Sequence, residues 1–173
     1  MDLTQHLRDI PDFPKPGILF KDISPLLGHA QAFAQSISDL AKLFTDSNLD
    51  AIIGIESRGF IFGAALAREL NCGFVPVRKP GKLPAETIHR EYDLEYGSDR
   101  LEMHRDALVA AGARVAVIDD VLATGGTLEA AIALAQDGGG TVIAAACVIE
   151  LGFLGGRARL APLQVPIHCL LNF

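Results

Sequence analysis

Two adjacent carboxylates, Asp119 and Asp120, followed by Ala123-Thr124-Gly125-Gly126-Thr127, make the run of the chain whose residue types and spacing best support chemistry. Ionised carboxylates only accept hydrogen bonds, so they suit the hydroxyls of a sugar or the water shell of a hydrated Mg²⁺, and they cannot themselves be phosphate ligands. The turn after them has the opposite character. Gly125 and Gly126 let the backbone approach an anion, Thr124 and Thr127 add hydroxyl donors, and the amides that open the next helix point the same way. A sugar carrying a phosphate suits both halves. The run lacks the Gly-Lys-Ser/Thr ending of a P-loop and is not a Gly-x-Gly-x-x-Gly dinucleotide fingerprint.

The elements that must position this run follow from periodicity. Asp50–Ile55, Cys72–Val77, Arg114–Asp119, Thr141–Ile149 and Leu163–Leu171 read as strands, and His29–Phe44, Gly59–Leu70 and Leu128–Gln136 as helices. Near-continuous apolar strands alternating with helices predict an α/β fold with a mostly parallel central sheet buried on both faces. Ligands bind such sheets beyond the strand C-termini, where the Asp pair falls. Residues 1–28 carry Pro11, Pro14, Pro16, Gly17 and Pro25, too much punctuation for a long helix, and are expected to form an N-terminal hood over the sheet edge. Thirty-six residues separate Val77 from Arg114, far more than the ~4–6 of an ordinary connection. Arg90–Tyr96 and Arg100–His104 partly alternate, so residues 78–105 are expected to be a projecting hairpin arm that serves as a lid.

At 173 residues, half of them apolar, the chain is expected to be a single domain. The residues Met-Asp-Leu-Thr-Gln-His show neither a basic n-region nor an apolar h-region, and the longest apolar stretch, Val142–Ile149, is far short of the ~20 residues that span a bilayer, so neither export nor membrane anchoring is expected. Cys72, Cys147 and Cys169 stand singly, without zinc or disulfide spacing, and read as reduced thiols of a cytoplasmic protein. The formal charge of −6 argues against nucleic-acid binding, and the basic residues are local: Arg78, Lys79 and Lys82 in one loop, Arg58 in another. The five histidines have no ligand spacing and are expected to be structural or surface groups.

The run Val117–Thr127 resembles the signature of type I phosphoribosyltransferases, in which two acidic residues hold the ribose hydroxyls and the following loop binds the 5-phosphate of phosphoribosyl diphosphate. Further motifs resemble the adenine branch of that family. Ile55-Glu56-Ser57-Arg58-Gly59-Phe60 is similar to its diphosphate loop, and Val77-Arg78-Lys79-Pro80-Gly81-Lys82-Leu83-Pro84 to its basic loop. Tyr92-Asp93-Leu94-Glu95-Tyr96-Gly97 is similar to its catalytic loop, and Phe13–Pro25 to its adenine-recognising hood. Glu56 stands where Asp also occurs in relatives, and Lys21 where Arg does.

The resemblance implies transfer of phosphoribose to adenine, giving AMP and diphosphate. It implies that Ala123–Thr127, Glu56, Ser57, Arg78, Lys79 and Lys82 bind phosphoribosyl diphosphate, and that Leu19, Phe20 and Lys21 face adenine. Arg58, Asp119 and Asp120 would serve the reacting sugar and leaving group, and Glu95 would do acid–base work on the purine. It also implies a Mg²⁺ held mainly by the diphosphate and water, a cis peptide at Glu56–Ser57 and a homodimer. Two other readings compete: a regulator that senses the same ligand, for which residues 1–28 are too short and proline-rich to hold a helix-turn-helix, and an enzyme for a 6-oxo purine.

Overall fold

The computed structural model describes residues 1–93 and 98–173. An antiparallel pair, β1 (Arg8–Pro11) and β2 (Leu19–Asp22), is followed by α1 (Ser24–Gly28) and α2 (Ala30–Lys42). Then come β3 (Ala51–Ile55), α3 (Arg58–Leu70), β4 (Gly73–Val77) and an antiparallel arm of β5 (Thr87–Asp93) and β6 (Ser98–His104). The chain closes with β7 (Arg114–Leu122), α4 (Gly126–Asp137), β8 (Thr141–Glu150), α5 (Gly156–Leu160) and β9 (Ile167–Asn172). The main sheet is wholly parallel, in the order β4-β3-β7-β8-β9. From β3 the chain steps outward to β4 and later returns on the other side as β7. The loops after β3 and β7 therefore leave neighbouring strand ends in opposite directions, which opens a crevice between them.

Side-chain alternation assigns each strand residue to one of two layers. Ile53, Ile55, Val115 and Val117 pack with Leu128 and Ile132 of α4, whereas Ile52, Ala116 and Ile118 pack with Leu40 of α2 and Phe62 and Leu66 of α3. Both faces are covered, which is why these strands read as continuous apolar runs. Each fully buried Phe or Leu of this kind contributes about 1.5–3 kcal/mol relative to exposure.

Several boundaries differ from the sequence reading, three of them for a reason the structure shows. β7 continues past Asp119 to Leu122, because Val121 and Leu122 still pair with Ile149 and Glu150 of β8. Helix α4 starts at Gly126, not Leu128, so Gly126 and Thr127 of the cradle open its first turn. The last strand begins at Ile167; Ala161–Leu163 is a 3₁₀ turn with Pro162 in its first positions, and Gln164 follows at a φ of 55°.

The hood is the β1–β2 pair, whose turn is closed by the Asp12 carboxylate accepting the Gly17 amide at 2.7 Å. Arg8 pairs with Asp22 at 2.6 Å and Lys21 with Asp9 at 2.7 Å across it. The strands of the arm are part of the body: Leu101 and Met103 are fully buried in the α4 layer, and Arg90 clamps Asp137 at the end of α4. A lid made of the whole segment 78–105 would have to strip those side chains from the core. Leu94, Glu95, Tyr96 and Gly97 lie outside the described residues. Among the described residues no helix is long and apolar enough to cross a membrane.

Candidate active site

The crevice holds a cavity of about 370 Å³. Its walls are Glu56–Arg58 after β3, Asp119–Gly125 with Thr127 and Leu128 at the β7–α4 junction, and Lys79 after β4. The structure thus brings together residues scattered over seventy positions because β3 and β7 are neighbours and end side by side.

Asp119 and Asp120 are buried, at 9% and 5% exposure. Burial, reinforced by the Asp120 charge, pushes the Asp119 carboxyl well above its ordinary range, and burial also raises Asp120 against the opposing effect of Arg58. Within the site the Asp120 amide donates to Asp119 Oδ1 at 2.9 Å, and Arg58 Nε meets Asp120 Oδ2 at 2.7 Å. Two acceptors held in a dry wall favour a ligand that brings hydroxyl donors. Arg58, about 40% exposed, reaches from the first turn of α3 and leaves guanidinium donors for an anion.

The cradle is the amino end of α4. Gly125 precedes the helix at a φ of 86° and no side chain caps the first turn. The unpaired first-turn amides and the positive end of the helix dipole face an anion without competition. A side chain at Gly125 would be strained twice, by that φ and by a Cβ lying 2.9 Å from the Gly156 carbonyl oxygen. Gly126 is buried in the first turn and does not line the cavity.

Gly59 sets the other wall. A Cβ there would sit 2.8 Å from the Ile118 carbonyl oxygen and 2.9 Å from Asp119 Oδ1, both held by β7. Gly59→Ala should therefore displace α3 from β7 and shift Asp119, costing about 1–3 kcal/mol. Chemical denaturation measures the loss; an unchanged midpoint would show that the α3 start yields freely.

The basic loop is folded inward on an acid. Glu56 accepts from Arg78 Nε and from the Lys79 amide, each at 3.1 Å, and pairs with Lys82. Burial would raise its carboxyl, but Lys82, the Lys79 amide and Arg78 outweigh that and hold it below its ordinary value. Of the three expected basic contacts only Lys79 lines the cavity; Arg78 and Lys82 are engaged with Glu56. In the hood, Phe20 lies 5.3 Å under the Arg58 guanidinium, whereas Lys21 turns to Asp9 and to the ring of Phe173. Leu19, Phe20 and Lys21 do not line the described cavity, and of the three Phe20 approaches it, through Arg58. The Glu56–Ser57 peptide is cis. Val121, Leu122 and Leu128, which also line the cavity, carried no polar signal that sequence reasoning could use. His29 is structural, its Nδ1 capping α2 at the Ala32 amide, 3.2 Å away.

Comparisons with known proteins identify the family and the fold. The model of the phosphoribosyl transferase domain matches residues 26–167. The chain is 61% identical over 161 residues to the adenine phosphoribosyltransferase of Roseiflexus castenholzii, with 93% of each chain covered. Among solved structures it is similar to the adenine phosphoribosyltransferase of Thermoanaerobacter pseudethanolicus, with a TM-score of 0.95, 51% identity and 99% and 98% of the two chains covered. It is also similar to the Saccharomyces cerevisiae enzyme complexed with D-2,5-dideoxy-2,5-imino-altritol 1,6-bisphosphate and adenine, with a TM-score of 0.91, 41% identity and 98% and 97% covered.

Proposed function

The chain belongs to the phosphoribosyltransferase family, and on that premise we propose that its cavity transfers the phosphoribosyl group of phosphoribosyl diphosphate to adenine, giving AMP and diphosphate in purine salvage. The observation that carries this reading is the buried Asp119–Asp120 pair set directly before the uncapped amino end of α4 and against Arg58. Full-length similarity to proteins named adenine phosphoribosyltransferase supports adenine as the base.

In the reaction the bond from the anomeric carbon to the diphosphate oxygen breaks, a bond to purine N9 forms, and N9 gives up its proton. Positive charge gathers on the sugar and negative charge on the leaving group. Asp119 and Asp120 take the ribose hydroxyls and lie on the cationic side; the Ala123–Thr127 amides hold the 5-phosphate, so that binding there aligns the reacting carbon. Arg58, Ser57 and Lys79 serve the diphosphate by fixed charge and dipole. Glu56 acts here through the loop cations it orders. A Mg²⁺ arriving with the diphosphate would supply positive charge to the leaving group. The residues that would meet its water shell are Asp119 and Asp120, carboxylate acceptors lining the cavity.

Adenine lies against the hood near Leu19, Phe20 and Lys21. The outer edge of β2 pairs with no other strand among the described residues, which leaves backbone donors and acceptors for the N1 and N6 edge of the base. A 6-oxo purine reverses that pattern. Glu95 is the acid–base group for the purine, a role that rests on the resemblance of Tyr92–Gly97. Two copies pair at the start of α3 and the basic loop, where Ile61 is 40% exposed and Phe60 meets Phe74 edge to face and lies under Arg78. Free Cys72, Cys147 and Cys169 accord with action in the cytoplasm.

The test is AMP formation from phosphoribosyl diphosphate and Mg²⁺ with adenine, hypoxanthine, guanine and xanthine each offered separately. Adenine should be used at least about a hundredfold more efficiently, since a mismatched buried edge leaves polar groups unpaired. Faster use of any 6-oxo purine would reject the assignment.

A further inference from the structure

The reaction as described uses Lys79 but neither of the side chains that hold it. Tyr92 on β5 and Asp99 on β6 are directly paired in the arm's register, so their side chains stand side by side on one face. Lys79 Nζ donates to the Tyr92 hydroxyl at 2.7 Å and to Asp99 Oδ2, and the Tyr92 hydroxyl donates to the same carboxylate oxygen at 3.1 Å. The ammonium also lies 5.3 Å from the centre of the Tyr92 ring. At the other end of the residue, the Lys79 amide is fixed to Glu56 at 3.1 Å. Its neighbour Arg78 exchanges two backbone hydrogen bonds with Glu102 of β6, at 2.8 and 2.7 Å.

An exposed lysine–carboxylate pair ordinarily contributes little, because a flexible chain and water undo it. This one differs in its third member. Tyr92 is 7% exposed and packed in the α4 layer, so its hydroxyl is a fixed point from which the lysine is aimed. The Lys79 pKa carries the same message: burial works against the charge, but Asp99 and Tyr92 outweigh it and raise the value. An ammonium has three N–H groups, and Tyr92 and Asp99 take two.

We propose that Tyr92 and Asp99 are positioning residues for phosphoribosyl diphosphate, holding the Lys79 ammonium at the cavity wall with its remaining N–H available to a diphosphate oxygen. The inference rests on the reading of this cavity as the phosphoribosyl diphosphate site. Asp99 cancels much of the lysine's charge at a distance, so the contribution is orientation more than field. That makes Tyr92→Phe the informative change, since it removes one hydroxyl and keeps every charge.

Steady-state kinetics of Tyr92→Phe, Lys79→Met and the double variant, with phosphoribosyl diphosphate and adenine varied in turn, test the proposal. Tyr92→Phe should raise KM for phosphoribosyl diphosphate about five- to tenfold, the scale of one ordinary net hydrogen bond, with KM for adenine unchanged. The double variant should match Lys79→Met alone, because the tyrosine acts only through the lysine. An unchanged or lowered KM in Tyr92→Phe overturns the proposal, as does additivity in the double variant. If Lys79→Met leaves KM unaltered while the enzyme makes AMP, the positioning idea fails and the proposed reaction stands. If the wild-type protein makes no AMP, it is the reaction that fails.

Discussion

Asp119→Asn should make the ligand-free protein more stable at neutral pH while reducing AMP formation about 10²- to 10³-fold. The loss of rate is that of one preorganised electrostatic contact in a dry site. The gain in stability follows from the raised pKa. In the folded protein burial and the neighbouring Asp120 charge keep Asp119 protonated to higher pH than in the unfolded chain. The stabilisation is therefore fully present below the unfolded-state pKa and disappears as pH rises through the folded-state value. Asparagine keeps the Oδ1 acceptor used by the Asp120 amide and never ionises. The melting temperatures of variant and wild type should coincide in acid and separate as pH rises, the variant higher by about 2–4 °C for each kcal/mol recovered. A variant that melts lower than wild type at pH 8, or retains wild-type turnover, would contradict the role assigned to the pair.

Arg58→Met should act in the opposite sense on stability and in the same sense on rate. The guanidinium is the group that counters burial at Asp120, 2.7 Å away. Without it the carboxylate is left in the wall with less compensation, and the melting temperature should fall at neutral pH. The fall should be modest because Arg58 is partly exposed and screened. kcat/KM for phosphoribosyl diphosphate should drop about 10²- to 10³-fold, as for removal of a charge-stabilising donor. Adding Asp120→Asn to Arg58→Met should restore the melting temperature but not the activity. Recovery of both would mean that Arg58 only neutralises Asp120; recovery of neither would place its contribution in packing against Phe20.

The acid pair and the cradle were legible in the sequence because they are contiguous: one strand end, the turn after it and one helix start hold all of Asp119–Thr127. The core strands were legible for a different reason, since a parallel strand covered on both faces must be apolar throughout. The start of β9 was not, because Leu163 and Val165 are as apolar as strand residues, and the 3₁₀ turn at Ala161–Leu163 is set by tertiary packing and by Pro162. The direction of the basic loop was also hidden. Arg78, Lys79 and Lys82 read alike in sequence, yet Glu56, twenty-two positions before Arg78, takes two of them. The partnership of Tyr92 with Asp99 was hidden as well, because it depends on the arm's register, which the spacing of the apolar residues left open.

The most direct test is a crystal structure of the protein with AMP. The proposed mechanism requires the 5-phosphate within hydrogen-bond distance of the Ala123–Thr127 amides, the ribose hydroxyls on Asp119 and Asp120, and the adenine against the hood at Leu19–Lys21. A phosphate bound elsewhere, for instance on Arg78 and Lys82 with the amino end of α4 left to water, would contradict it.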